Sequence, residues 1–403
     1  MKRRIFYSIL LVLLLPVFSI SAMDNGLTLN VTTALEDYGL TNQITDNIVF
    51  LGSLTPWLFV PFGDNAELYA SVGITGEFID KEWMLVPELL RTTYNVRFGT
   101  SSELTFGRMH YQDPLGFIAS GLFDGVRYTQ DIGDSVIGVS AFYTGFLNKK
   151  NAVITMTEAD EKRHILKLNY SDFFNTYFAS RRVVAAVDWE HPGISELVRL
   201  RAALIGQFDL NEHTSFNSQY LALKAFMPFG IFIYELGGSL GLIQDEGDFK
   251  VSLAGEIGVN IFLPTRIQDS LRISANYSSG VLNDTVTAFV PVTTVPQGNI
   301  IKAKFSGLSS INIAYTARLI PGLSLSLVNS YFIVNDMGSY WGLPYGRNGF
   351  FLGNEIYAQL VWHPFSDLQL RAGGGVFLQG LGNAAPNYPV MWKAELNIVF
   401  SIF

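Results

Sequence analysis

The sequence predicts an all-β protein, a transmembrane antiparallel up-and-down β-barrel. Apolar residues make up 49% of the chain and charged residues only 15%. Yet after Ala22 no stretch approaches the roughly 18 uninterrupted apolar residues that a spanning helix requires. The apolar residues instead lie in many short alternating segments, joined by connections that are short and long in turn. In lipid the spanning alternative to a helix is a closed barrel, in which backbone groups pair between strands.

The first 22 residues have the pattern of a signal peptide. Three basic residues, Lys2, Arg3 and Arg4, precede an apolar run that extends to Phe18, and Ser21-Ala22 offers a small-residue cleavage site. We therefore expect a signal peptide over 1–22 and a single barrel domain over 23–403, exported to the outer membrane of a bacterium with two membranes. The chain has no cysteine, which excludes a lipoprotein anchor, disulfides and thiolate metal sites. Its net charge of −8 argues against nucleic-acid binding.

Residues 251–261 show the alternation most clearly. One face carries Val251, Leu253 and Ile257, and the other carries Ser252 and Glu256. A period of two separates these sets, whereas a helix would mix them. A soluble β-sandwich with one wet face also alternates. The length and number of the segments, the alternation of short and long connections, and the aromatic residues at segment ends favour the barrel.

Parity gives the strand count. The short turns, placed at the periplasmic end with both termini, lie at 61–65, 131–134, 228–230, 263–265, 320–322 and 363–367. The long connections are then 35–46, 78–86, 111–123, 147–180, 209–214, 244–248, 279–305, 335–353 and 379–390. This arrangement predicts 18 strands, with 16 as the alternative. The segment from His164 to Tyr170 also alternates, and we assign it to an extramembrane hairpin. Trp189 and Trp362 are expected in one aromatic girdle.

The final segment, residues 392–403, predicts a terminal strand ending in Phe403 that the barrel-assembly machinery would recognise. Its apolar row runs from Trp392 through Phe400 to Ile402, which leaves Phe403 out of phase. A bulge at Ser401 would restore the phase; otherwise the lineage tolerates the offset.

The row opposite each apolar row must face the lumen, and basic residues recur there. They are Arg97, Arg127, Arg182, Arg199, Arg201, Lys224, Arg272, Arg318, Arg371 and Lys393. The acidic residues of the same rows are Glu77, Asp188, Glu256, Glu355 and Glu395. Arginine in a narrow channel concentrates anions and pairs bidentately with carboxylate or phosphate. The alternative is that these cations pair with the carboxylates and only brace the wall.

Two stretches resemble a known family. Residues 107–116 with 122–128 (Leu-Phe-Asp-Gly-Val-Arg-Tyr), and residues 353–358 with 368–377, resemble elements of alginate-export-type porins. The resemblance covers about a sixth of the chain. It implies a monomeric 18-stranded barrel with a basic conduit for anionic polysaccharide, and places Arg108, Arg127 and Arg371 on matching elements. Arg108 is in phase with the apolar row, so an inward direction would require a kink at Gly107.

Other functions have weaker support. His110, His164, His191, His213 and His363 show no metal-binding or catalytic spacing, so we expect no enzyme, no metal and no cofactor. The preferred function is a porin that passes small anionic solutes or oligosaccharides, with Arg127, Arg199, Arg201, Arg272, Arg318 and Arg371 setting ion preference. The segment from Tyr111 to Phe123 could turn inward and narrow the pore. A barrel-anchored adhesin and a transporter of hydrophobic substrates are the alternatives.

Overall fold

A computed structural model describes residues 23–37, 47–79, 82–194, 197–210, 216–245, 247–336, 349–380 and 390–402. The described chain forms one antiparallel sheet of 18 strands, in which each strand pairs with the next and β18 pairs with β1. The predicted barrel and its strand count of 18 are therefore confirmed. The predictions for the signal peptide, His213 and Phe403 lie outside the described residues.

The strands are long enough to cross a membrane at a tilt. In chain order, β1 to β18 are Asp24–Asp37, Asn47–Phe62, Ala66–Ile79, Glu82–Phe98, Ser102–Gln112, Ser120–Ile132, Ser135–Tyr143, Arg182–Ile194, Val198–Asp209, Phe216–Phe229, Phe232–Asp245, Asp248–Phe262, Ser270–Ser278, Leu308–Ile320, Leu323–Val334, Phe351–Phe365, Leu368–Gln379 and Val390–Ile402.

The alternating rows face as predicted. Ile257 and Ile313 lie in the exposed outward rows of β12 and β14. Asn312 and Glu256 lie in the opposite, inward rows. The register of the strand pairs places outward residues beside outward residues, and inward beside inward, from each strand to the next. The six predicted short turns all join strands at one end of the barrel, which we call the turn end. The nine predicted long connections join strand ends at the other end, the loop end.

The segment 164–170 is not a hairpin, contrary to the sequence prediction. The loop between β7 and β8, residues 144–181, contains helix α1 (Glu158–Ile165), a 3-10 turn (Tyr170–Asp172) and helix α2 (Phe173–Tyr177). Thr157 and Asp160 form a capping box, and acidic and basic residues occupy the first and last turns of α1. These local signals stabilise a helix. No helix in the described part of the chain has the length and apolarity to cross a membrane.

Two of the described loops meet inside the loop-end half of the lumen. The first, residues 113–119, joins β5 to β6, as anticipated for the segment from Tyr111 to Phe123. The second, residues 279–307, joins β13 to β14. The two touch where the backbone N–H groups of Val292 and Thr293 donate to the carbonyl of Ile118. Apolar residues of both loops form a buried core with the inward rows of β5 to β12.

The 279–307 loop spans the lumen from one wall to the other. On β10, the Tyr220 hydroxyl donates to the carbonyl of Val290. On β16, Glu355 is 1% exposed and accepts the backbone N–H groups of Asn299, Ile300 and Ile301 at 2.7 to 3.1 Å. A wall-to-wall segment of this kind narrows the passage through the barrel.

Candidate functional site

The inward rows of β6 and of β8 to β13 carry a continuous band of charge, which we call the charged strip. Cross-strand register aligns its members on one face: Lys224 pairs with Arg201, and Arg201 pairs with Glu190. The strip comprises Arg127, Asp188, Glu190, Arg199, Arg201, Lys224, Glu235, Glu256 and Arg272.

Ion pairs connect the strip from strand to strand. Arg127 Nη1 lies 3.1 Å from Asp188 Oδ2. Arg199 and Arg201 share the single carboxylate of Glu190, the latter at 3.0 Å. A second group repeats the arrangement further around the wall. There Lys224 Nζ lies 2.7 Å from Glu256 Oε1 and 3.7 Å from Glu235, which also accepts from Arg272 at 2.9 Å.

The cations of several pairs are more exposed than their carboxylates. The Arg272 side chain is 43% exposed and Glu235 only 9%. Arg199 is 46% exposed against 32% for Glu190, while Lys224 and Glu256 are both 10% exposed. A solute in the lumen therefore meets guanidinium groups in front of partly covered carboxylates. Pairing lowers the net charge of the strip, while the more exposed guanidinium ends stay in contact with the lumen.

A polar cavity of about 300 Å³ separates the strip from the 113–119 loop. Guanidinium and ammonium donors from three strands converge on it. Its lining includes Gln112, Asp113, Pro114, Leu115, Arg127, Asp188, Glu190, Arg201, Lys224 and Phe226.

Asp113 determines the shape of this loop. Its carboxylate accepts the backbone N–H groups of Leu115, Gly116, Ile118 and Ala119 at 2.8 to 3.0 Å. Burial raises the pKa of Asp113 to about 6, and the four hydrogen bonds oppose that rise. One side chain thus replaces the regular backbone pairing that a tight loop cannot make.

The wall opposite the strip carries neutral polar and aromatic groups between separate charged residues. Asn397 Nδ2 donates to Asn30 Oδ1 at 2.6 Å and to Thr32 Oγ1 at 2.7 Å. Further toward β4, Trp57 and Tyr69 stack at 6.3 Å, and the guanidinium carbon of Arg91 lies 5.0 Å from the Tyr69 ring centroid. The lumen therefore has one side with a connected band of charge, and another on which hydroxyl, amide and aromatic groups separate the charged residues.

The predicted lumen cations have different surroundings. Arg127, Arg199, Arg201, Lys224 and Arg272 come together in the strip. Arg97 lies near the turn end, 3.7 Å from Glu67 and 3.6 Å from Glu103, and Lys393 lies 2.6 Å from Glu395. Arg318 and Arg371 also occupy inward rows, and neither makes an ion pair with a residue in the described ranges.

Arg182 does not face an open lumen. Its side chain is 0% exposed and lies beneath α1, where it contacts Asp160 at 2.6 Å and Asp209 at 3.5 Å. Arg182 lies in the inward row of β8, as expected, but the 144–181 loop covers this position. Its contacts anchor that loop to the wall, so a solute in the lumen does not reach the guanidinium.

Among the inward charged residues missed in the sequence, three are instructive. Glu190 lies within β8, which continues four residues further, to Ile194. Glu235 alternates with Tyr234 and Leu236, so the phase of β11 could have identified it. Arg91 follows an irregularity in the β3–β4 pairing at Ser71. The irregularity shifts the alternation of β4 by one residue, so the alternation before it does not show that Arg91 points inward.

Arg108, carried over from the family resemblance, is not a lumen residue. Gly107 has a φ of +106°, so the backbone is irregular there, but Arg108 stays in the outward phase. It is 5% exposed and pairs with Asp124 at 2.7 Å. Within the described residues no three His, Asp or Glu side chains form a metal-binding group.

The fold matches barrels solved from Pseudomonas aeruginosa. OccK5 (OpdH) aligns with a TM-score of 0.62 and 12% identity over 95% of this chain and 98% of its own. OpdK with vanillate gives 0.62 and 10% over 95% and 99%, and OprD gives 0.59 and 11% over 95% and 96%. At such identities the likeness establishes the fold. No family model and no curated protein matches the chain, so the resemblance to alginate-export-type porins stays a prediction.

Proposed function

We propose that this chain is an outer-membrane channel that passes small anionic solutes by diffusion. The observation that carries the proposal is the asymmetric exposure of the charged strip, where Arg272 is 43% exposed and its partner Glu235 is 9% exposed. Arg318 and Arg371 add inward cations that have no ion pair with described residues. A carboxylate or phosphate solute would exchange its hydration shell for these guanidinium donors.

The inward loops support a channel more than a surface adhesin. The 113–119 and 279–307 loops are packed inside the barrel, where they narrow a passage rather than present a binding surface outside. One structural neighbour, OpdK, is an outer membrane protein solved with vanillate, a carboxylate. We infer the same chemical class of solute here, with anionic oligosaccharides as the larger members of that class.

The test is ion selectivity in planar bilayers across a salt gradient. We expect a reversal potential that indicates anion preference. Changing Arg318→Gln and Arg371→Gln removes two cations without breaking a described ion pair, and should shift that potential toward cations. Glu158→Gln, on the exposed helix α1, is a matched single-charge control that should leave it unchanged. A wild-type channel that prefers cations would overturn the proposal.

A further inference from the structure

The barrel wall has a break between β4 and β5. Their ladder runs only from the Thr92–Arg108 pair to the Phe98–Ser102 pair. The opposite edge of β4 pairs with β3 up to Glu82. Residues 82–91 of β4 therefore have a neighbouring strand on one side only. We call this gap the β4–β5 seam.

Gly107 marks the point where β5 leaves β4. Its φ is +106°, and a Cβ at this position would lie 2.0 Å from the carbonyl oxygen of Thr92. Only glycine allows the two backbones to approach this closely in that conformation. Above this contact the strands separate toward the loop end.

Side chains of the 144–181 loop cap the free edge of β4. The Tyr170 hydroxyl donates to the carbonyl of Leu85, and the Tyr177 hydroxyl donates to that of Pro87 at 2.5 Å. Burial raises the pKa of Tyr177 to about 12, so the phenol keeps the proton that it donates. A carbonyl facing lipid without a donor is costly, and the two phenols replace the missing strand there.

Arg108 closes the next position along the same edge. Its Nη1 donates to the carbonyl of Leu89 at 2.5 Å, and Nη2 donates to the carbonyl of Phe146 in the loop at 2.9 Å. Nε and Nη2 each also bond to Asp124 at 2.7 Å. On a strand edge every second carbonyl points to the missing neighbour. Here these are the carbonyls of residues 85, 87 and 89, and side chains donate to all three.

Apolar side chains lie on both sides of the seam. Those outside it are highly exposed, at 61 to 77%: Trp83, Leu85, Phe146 and Phe174. Those inside belong to the buried core of the loop-end lumen: Met109, Phe123, Phe142 and Leu147. The inner side of the seam also holds Glu88, close to the Glu77–Lys150 ion pair, so a molecule that crossed here would avoid the charged strip but meet this smaller group of charges.

We propose that the β4–β5 seam is a lateral portal for a single-chain amphiphile with an acyl tail and a carboxylate headgroup. The portal opens when the 144–181 loop leaves the edge of β4, and connects the outer leaflet with the apolar loop-end lumen. A complete ladder would hold the wall shut along its whole length, whereas here side-chain contacts do so: the two phenols, Arg108, and the ion pairs of Lys150 with Glu77 and of Lys167 with Glu82. When the loop leaves, Arg108 Nη2 loses its acceptor at Phe146 and keeps its bond to Asp124, so the released N–H is the donor that recognises the headgroup.

Photolabelling of the full chain in vesicles tests the portal. The probe is a palmitate that carries a diazirine on its tail, and the labelled residues are located by mass spectrometry. We expect labels at Met109, Phe123 and Leu147 inside the wall, in addition to labels on outward residues such as Leu204. Labels confined to outward rows would overturn the proposal, because they would show only the lipid that surrounds every barrel.

A cross-link across the seam provides the decisive comparison. The chain has no cysteine, so Leu85→Cys with Tyr170→Cys can be joined by a short bis-methanethiosulfonate, from which each cysteine thiolate displaces one methanesulfinate. In the joined protein the labelling of interior residues should fall at least about ten-fold, while the labelling of outward residues stays the same. Leu204→Cys with Leu221→Cys, a directly paired position in the complete β9–β10 ladder, is the matched control and should lose none. Interior labelling that persists in the locked seam refutes the portal.

A loosened seam gives the opposite result. Tyr170→Phe with Tyr177→Phe removes both phenol donors and keeps the rings, so interior labelling should rise several-fold in correctly folded protein. Unchanged labelling in that variant also counts against the portal. Channel conductance, recorded on the same preparations, should not change with the cross-link, which separates this proposal from that of the anion channel.

Discussion

Glu190 offers the sharpest test of how charge is arranged in the lumen. It is the shared partner of Arg199 and Arg201, and its side chain is 32% exposed. Glu190→Gln removes one negative charge with almost no change in volume, and the amide oxygen still accepts from one guanidinium. The second guanidinium is freed toward the lumen, so the variant should prefer anions more strongly than the parent.

The size of this shift follows from Coulomb's law. An anion about 7 Å from the added positive charge gains roughly 0.6 kcal/mol at a water-like dielectric and about 2.4 kcal/mol at an effective dielectric of about 20. A Debye length of about 8 Å at physiological salt reduces both values to somewhat under half. Since a cation is disfavoured by the same amount, the anion-to-cation permeability ratio should rise between about 2-fold and about 30-fold, at 1.4 kcal/mol for each factor of ten.

Reversal potentials in planar bilayers across a salt gradient measure this ratio directly. Glu158→Gln makes the same chemical change on exposed helix α1, where its carboxylate pairs only with Lys162 among described residues. That control should leave the ratio unchanged. A fall in the ratio for Glu190→Gln, or an equal rise in both variants, would refute the assignment of ion preference to the strip.

Three further predictions concern the wall and the constriction. Gly107→Ala places a Cβ against a backbone carbonyl at positive φ and should cost roughly 3 kcal/mol or more in detergent unfolding, whereas Gly133→Ala, which meets nothing within 4 Å, should cost about 1 kcal/mol. Ile313→Arg should block assembly, since a lipid-facing Arg costs roughly 2–4 kcal/mol, while Asn312→Arg in the inward row should assemble with normal heat-modified mobility. The raised pKa of Asp113 means that the folded-in loop holds this proton more tightly than an exposed loop would. That stabilisation is complete below the usual value of 3.8 and is lost as pH rises through about 6. Conductance should therefore be lower at pH 4 than at pH 7. Asp113→Asn should remove this difference and conduct more than the parent at pH 4, because its NH2 group faces two of the four backbone donors.

Strand phase was predictable because a lipid-facing row and a lumen row impose a strict period of two. Ile313 and Asn312 face as their neighbours require, and the turn residues fixed the parity of the strands. Ion pairing was not predictable, because it depends on register between strands. Arg272 and Glu235 lie two strands apart, and only the stagger of β11, β12 and β13 brings them together.

The errors have local causes. The alternation from His164 to Tyr170 favoured a strand, although the capping box at Thr157 is readable in the sequence and wins because it satisfies the first backbone donors of α1. The row of β8 correctly pointed Arg182 inward, but nothing in that row shows that a distant loop covers it. The β4–β5 seam likewise depends on where a ladder ends, which alternation alone does not encode.

The two halves of the lumen divide the work of a channel. In the proposed channel, the loop-end half with its crossing 279–307 loop should set how much passes, and the charged strip should set which ions pass. Glu355 separates the two roles, because it holds the backbone N–H groups of Asn299, Ile300 and Ile301 while being only 1% exposed.

Glu355→Gln presents an NH2 group to these donors, and each donor left buried without an acceptor costs about 1–3 kcal/mol. The loop should detach from β16, so single-channel conductance should rise while the reversal potential stays near the parent value. Glu190→Gln should do the reverse. If both variants changed both quantities together, constriction and charge would belong to one site, and this division of roles would be wrong.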